Sequence, residues 1–170
     1  LKNVGEYYSD GYVVRVLKNG GFSSAVFTKK EDAEIAIKNA VNQAKILGKK
    51  SKEKSKLAKV EINKDTVRPV LEEDPKNISL NEKISVLKEY NDICLNHKGI
   101  QKTNLNYFDE RRKKYLLTTE GARISEELIT TGITGTIISK DGTEVANVRI
   151  NIGGSNGFQN IRNRHNIFKK

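Results

Sequence analysis

Residues 153–158 read GGSNGF, three glycines in six positions at the end of an alternating run. Such a density serves either a phosphate cradle or a sharp turn. A phosphate loop needs G-x-x-x-x-G-K-[ST], in which the Lys reaches the phosphates. Here Gly153, Gly154 and Gly157 are followed by Phe158, with no Lys or Thr in place. A dinucleotide fingerprint needs G-x-G-x-x-G opening a helix in a βαβ unit. The spacing differs, and the flanking pattern reads as antiparallel. GGSNGF is therefore expected to be a turn where a strand hands over to a helix. Glycine would supply positive φ or close backbone approach, and Phe158 would pack beneath.

The other chemistry-bearing residues are few. Zinc hydrolysis needs about three protein ligands and a water, but the chain has only His97 and His165. His97 falls near a predicted helix C-terminus, where a cation suits the dipole. His165 lies among Arg162, Arg164, Lys169 and Lys170, a poor site for a cation. No His-Glu dipeptide occurs, so the metalloprotease helix with two histidines on one face is absent. Ser155 lacks the G-x-S-x-G spacing of a nucleophile elbow. Glu72/Glu73 and Glu126/Glu127 are sequential pairs whose side chains point apart on a strand or helix, and read as solvated. Cys94, the only cysteine, sits at an apolar helical position and reads as a small buried hydrophobe. No catalytic, cofactor-binding or metal-ligating residue is assigned.

The elements around these residues follow from periodicity. Residues 4–8 and 12–17 are rich in Val and Tyr and read as strands. KNGG at 18–21 is a turn signal, and FSSAVF at 22–27 completes an antiparallel hairpin. Thr28 and Glu31 fit a capping box opening a helix. Its apolar stripe is Ala33, Ala36, Ile37, Ala40, Val41, Ala44 and Leu47, with Gly48 at its end. The small residues in that stripe imply close approach to a sheet. AKVEI at 58–62 reads as a short strand or helix end, and VLEED between Pro69 and Pro75 as an extended connection. Ser79 and Glu82 form a second capping box, followed by Leu80, Ile84, Leu87, Tyr90, Ile93 and Cys94 on one face. From residue 100 the period becomes two. Residues 100–119 read as two strands about a polar turn near 109–113, and 122–154 as two or three more, with a hairpin signal at KDG, 140–142. The expected fold class is α+β, a mostly antiparallel sheet with two helices packed on one face, in a single domain over 1–170.

Composition narrows the function. At 170 residues, 36% hydrophobic and 31% charged, the chain suits an ordinary domain with a modest core. No apolar run approaches the ~20 residues of a membrane span, so no membrane partner is expected. A lone cysteine favours a reducing, cytoplasmic setting. The chain begins at Leu1 and contains no methionine, as expected of a fragment, a processed chain or an incomplete sequence. Net charge is +10, and residues 45–59 alone carry seven lysines. With Ser and Gly interspersed and no aromatic for base stacking, residues 48–60 read as an exposed lysine-rich loop, and nucleic acid is not the expected partner. On the residues alone, the chain binds or scaffolds. A basic, non-catalytic module contacting nucleic acid or an acidic protein is the alternative reading.

Four stretches, in order, resemble the N-terminal region of the TldD/PmbA family. Residues 11–47 are similar to its G-x-x-V-R-V strand, Gly-Phe-Ser strand and Ala-rich helix, through Gly11, Val14, Arg15, Val16, Phe22 and Ser24. The connection and helix at 70–95 follow. LLTTEGARISEE (116–127) resembles a strand–turn–strand with Thr119, Glu120 and Gly121 at the turn, and GGSNGF resembles a Gly-Gly-x-x-Gly-Phe segment. The turn KNGGF looks shorter than the family's usual connection. The family, first described as modulators of DNA gyrase, comprises zinc metallopeptidases. Their H-E-x-x-x-H helix and Cys ligand come after this region, and the chain stops at Lys170. The resemblance implies the N-terminal, substrate-admitting and dimer-forming portion of such an enzyme, with the catalytic C-terminal domain not in this chain. It implies zinc in the parent and none here. The implied partners are an unfolded peptide or protein substrate and a homologous subunit, as a homo- or heterodimer. An exposed strand at 132–139 or 143–152 could receive an extended peptide.

Overall fold

The computed structural model describes residues 3–169. Its fold is α+β with largely antiparallel pairing. Where the sequence reading has one domain over 1–170, the backbone separates into two compact units, 1–61 and 62–170. Each unit carries one long helix.

In the first unit, β1 (Tyr12–Lys18) and β2 (Gly21–Phe27) form a hairpin. Asn19 and Gly20 both take positive φ, 55° and 79°. That geometry matches the right-handed twist of the strands it joins. Helix α1 (Ala33–Lys50) packs on the hairpin through Ala40, Ala44 and Gly48, one residue per turn. These three are small because the strand backbone lies against them. A Cβ on Gly21 would stand 2.1 Å from the Ala44 carbonyl oxygen and 2.2 Å from the Gly48 nitrogen. Ser23 Oγ, buried here, donates to the Ala40 carbonyl at 2.6 Å.

Three expectations for this unit change. Residues 3–11 form no strand, and Tyr7 and Tyr8 are more than nine-tenths exposed. No neighbour among the described residues offers that stretch a ladder. The Thr28 box is not made. A 3-10 turn at Lys30–Asp32 leads into α1 without a side-chain cap, the Lys29 and Lys30 carbonyls accepting the Asp32 and Ala33 N–H groups. Gly48 does not end the helix. It is buried inside α1, kept as glycine by the Asn19 and Lys18 carbonyls close by. The helix runs to Lys50, so the irregular lysine-rich segment begins at Ser51.

The second unit is built around β5 (Arg123–Asp141). One edge of β5 pairs along its whole length with β4 (Ile100–Leu117). The other edge is shared, first by a parallel β3 (Lys64–Val67) and then by an antiparallel β6 (Glu144–Gly154). Residues 58–62 have no regular structure, and the strand comes just after them. The stretch 109–113 is no turn. DERRK contains no Gly, Pro or Asn to reverse the chain, so β4 passes straight through it. The reversal falls at 118–122, with Gly121 at φ 109°. Gly142 and Thr143 make the next turn.

Helix α2 (Leu80–Leu95) packs on β4, capped by Ser79, whose Oγ accepts from the Glu82 N–H. One face of the sheet gives Ile133 and Ile150 to a core shared with Tyr90 and Cys94 of α2. Phe158 and Ile161, on a 3-10 turn, and Phe168 of the short α3 (His165–Phe168) complete it. Cys94 is buried, as its apolar position predicts, and burial pushes its thiol pKa up.

Candidate functional site

GGSNGF folds as the turn its glycines suggest. β6 ends at Gly154, and Gly157, at φ 120°, leads into the 3-10 turn that carries Phe158. The Gly157 carbonyl accepts from the buried Thr131 Oγ1 at 2.5 Å and from Asn160 Nδ2 at 2.9 Å. The Phe158 N–H donates to the Glu73 carbonyl at 2.9 Å. A Cβ on Gly157 would stand 2.5 Å from that same oxygen. Every one of these groups is satisfied from within the chain, so the loop is a joint rather than a cradle.

Charged residues brace the joint. Arg162 reaches Glu73 at 2.6 Å and also Glu82, while stacking over the Phe158 ring. Its two carboxylates hold the guanidinium pKa above the usual range. Glu73 is thus ion-paired, not the solvated half of an acidic pair. Arg111 bridges Asp74 at 2.6 Å and Glu127 at 2.5 Å. Glu126 and Glu127 do lie on opposite sheet faces, since strand neighbours alternate, but Glu127 is half-buried and ion-paired where the sequence suggests a solvated pair. Lys83 and the Tyr107 hydroxyl both donate to Asp109 Oδ2 at 2.7 Å. Burial, then the Asp109 carboxylate, pushes the tyrosine pKa up.

The Arg111 guanidinium and the Lys76 N–H hold Asp74 below its ordinary 3.8. A depressed carboxylate favours the folded state above its unfolded pKa and loses that contribution as pH falls through the folded one. Asp74→Asn is therefore expected to flatten the acid limb of stability. Urea midpoints measured from about pH 6 to about pH 2 should converge for the two proteins at the acid end, the wild type falling further.

The two histidines stay apart. His97 lies beyond the end of α2, where a shallow hollow of about 300 Å³ is lined by Ile93, Asn96, His97 and Lys169. His165 is not left among cations as its sequence neighbours suggest, because Glu89 of α2 meets its Nε2 at 2.6 Å. Sequence spacing gives no sign of that pair, 76 residues apart. Among the described residues no three His, Cys, Asp or Glu side chains are grouped to hold a metal ion. Zinc takes three or four such ligands. The described residues do not fit a zinc site.

What the second unit does present is an open sheet edge. β5 is paired on both sides, so residues 132–139 are not an edge. β4 and β6 each pair only with β5 among the described strands. The outer side of β4 is guarded. Asp109–Lys114 is an unbroken charged run, while α2 packs on a face of the sheet and not along this edge. Charge on an edge opposes the addition of another strand. β6 carries only Glu144 and Arg149, and residues 144–149 are all exposed. Its outer row of N–H and C=O groups could pair with an extended chain of almost any sequence.

Similarity to known proteins agrees with both units. Residues 1–45 match PmbA/TldA metallopeptidase domain 1, and residues 73–169 match the PmbA/TldA metallopeptidase central domain. A metalloprotease of Synechocystis sp. is 25% identical over 165 residues. That alignment covers 96% of this chain and 35% of the relative, so the chain spans about a third of the relative's length. No helix among the described residues is long and apolar enough to cross a membrane. With the central-domain match covering more than half of its length, the chain belongs to the PmbA/TldA metallopeptidase family.

Proposed function

We propose that this chain is the substrate-admitting and dimer-forming N-terminal portion of a cytoplasmic zinc metallopeptidase acting on unfolded peptides. The zinc and the catalytic domain belong to the remainder of the parent protein, and a homologous subunit completes the enzyme. The observation that carries the admitting role is the unguarded outer edge of β6. An unfolded peptide has free backbone groups, and a strand edge satisfies them without reading sequence. A folded protein has most of its backbone groups already paired, so the edge favours extended chains. Domain order supports the placement, since domain 1 and the central domain follow one another along this chain.

A proline scan of residues 144–151 in the full-length enzyme tests this. Positions whose N–H points outward should lose peptide turnover about two- to tenfold per missing hydrogen bond, with circular dichroism unchanged. Inward positions should instead lose the fold, because they break the ladder to β5. Unchanged turnover across all folded variants would remove β6 from substrate binding.

A further inference from the structure

The lysines of the first unit are brought together by its fold. Residues 45–59 carry seven lysines and one acid, Glu53. The sequence alone lets this stretch wander, but two contacts fold it back. The Ser55 N–H donates to the Gly20 carbonyl at 2.9 Å, and Lys54 Nζ reaches the Gly48 carbonyl near the end of α1. The hairpin turn and the helix end already touch, with the Asn19 carbonyl against Gly48. Lys49 and Lys50 of the last helical turn, Lys52 and Lys56 of the segment, and Lys18 beside the hairpin turn therefore crowd one end of the unit. All five are exposed. None is ion-paired among the described residues, whereas Lys83, Arg111 and Arg162 of the second unit all are.

We propose that this lysine cluster recruits acidic unfolded peptides, making Glu- and Asp-rich chains the favoured substrate class. The inference rests on the peptidase reading above. An unneutralised cluster sets up a field that raises the local concentration of oppositely charged chains and speeds their capture. The residue types favour peptide over nucleic acid. The cluster contains no arginine to fork onto phosphates and no aromatic to stack a base. Flexible ammonium groups suit carboxylates scattered irregularly along an unfolded chain. Lys54 is excluded from the recruiting set because it is engaged with the helix end.

The test uses the full-length protein and a variant carrying Lys49→Gln, Lys50→Gln, Lys52→Gln and Lys56→Gln. Two fluorescent peptides of about ten residues are compared, one about half glutamate and one with glutamine in those places. At about 0.02 M salt the variant should bind the acidic peptide about tenfold more weakly by anisotropy, and the difference should vanish near 0.5 M. The glutamine peptide should bind wild type and variant alike. Equal binding of the acidic peptide by both proteins would overturn the proposal. So would a variant whose loss is confined to a single-stranded DNA probe, since that would assign the cluster to nucleic acid. Anisotropy needs no cleavage. Failure of the peptidase reading would appear separately, as neither peptide being cut.

Discussion

Gly21→Ala is expected to unfold residues 12–50 while leaving the second unit folded. The added methyl would meet the backbone of α1, at the Ala44 carbonyl and the Gly48 nitrogen. Neither can swing aside as a side chain would. Moving α1 outward would strip Ser23 of its bond to Ala40 and uncover Ala40 and Ala44, which are almost wholly buried. Overpacking typically costs about 1–3 kcal/mol, and more where the neighbour is fixed backbone. A unit of this size rarely holds more than about 3–5 kcal/mol in reserve. Hydrogen exchange resolved by peptide would show the result directly. Protection should disappear from β1, β2 and α1 and persist in β4, β5 and α2. Retained protection in the hairpin would mean that the helix can back away at little cost.

The second large effect belongs to Phe158→Ala. The Phe158 ring is fully buried, meets Tyr107 edge-on with centroids 5.9 Å apart, and lies under the Arg162 guanidinium. Truncating a buried phenylalanine costs about 3–5 kcal/mol. The loss here should fall at the upper end, because the turn cannot collapse into the void. Thr131, Asn160 and the Glu73 carbonyl hold its backbone in place. Chemical denaturation of the full chain should show the transition of the second unit shifted to lower urea with its slope retained. Phe158→Leu, which keeps most of the volume, should recover more than half of the loss.

The sequence announces part of each of these two sites. The small residues Ala40 and Ala44 in the α1 stripe state in advance that something lies close, and the KNGG turn names a hairpin, whereas Gly48 reads locally as a helix end and its place in the contact is set by the fold. The GGSNGF stretch is legible as a turn for a similar reason, since glycine at such density excludes regular structure. The misread elements share another cause. DERRK imitates a turn by polarity, but its charges are held on a continuous strand by Asp74, Glu127 and Lys83, all distant in sequence. The central place of β5 is likewise invisible locally. Its residues 124–139 are half-buried or buried almost without a break, a pattern set by neighbours on both edges. The guarded and unguarded edges follow only once that topology is known. The lysine cluster shows both sides. Its charge is plain in the sequence, while the pinning contacts at Gly20 and Gly48 are set by the fold.

The placement of Tyr90 carries a consequence for synthesis. Its ring stacks on Phe168 at 4.4 Å, and its hydroxyl donates to the Ile161 carbonyl and accepts from the Arg164 N–H. The hairpin and α1 pair with one another within residues 12–50, so they can close early in synthesis. Helix α2 cannot. Its inner face waits for some seventy more residues to be made (about seven seconds at a typical bacterial rate) before Phe158, Ile161 and Phe168 arrive to cover it. During that interval Tyr90 and Cys94 have only earlier residues such as Leu105 and Ile133 to cover them, so this core stays open until the last stretch of the chain is made.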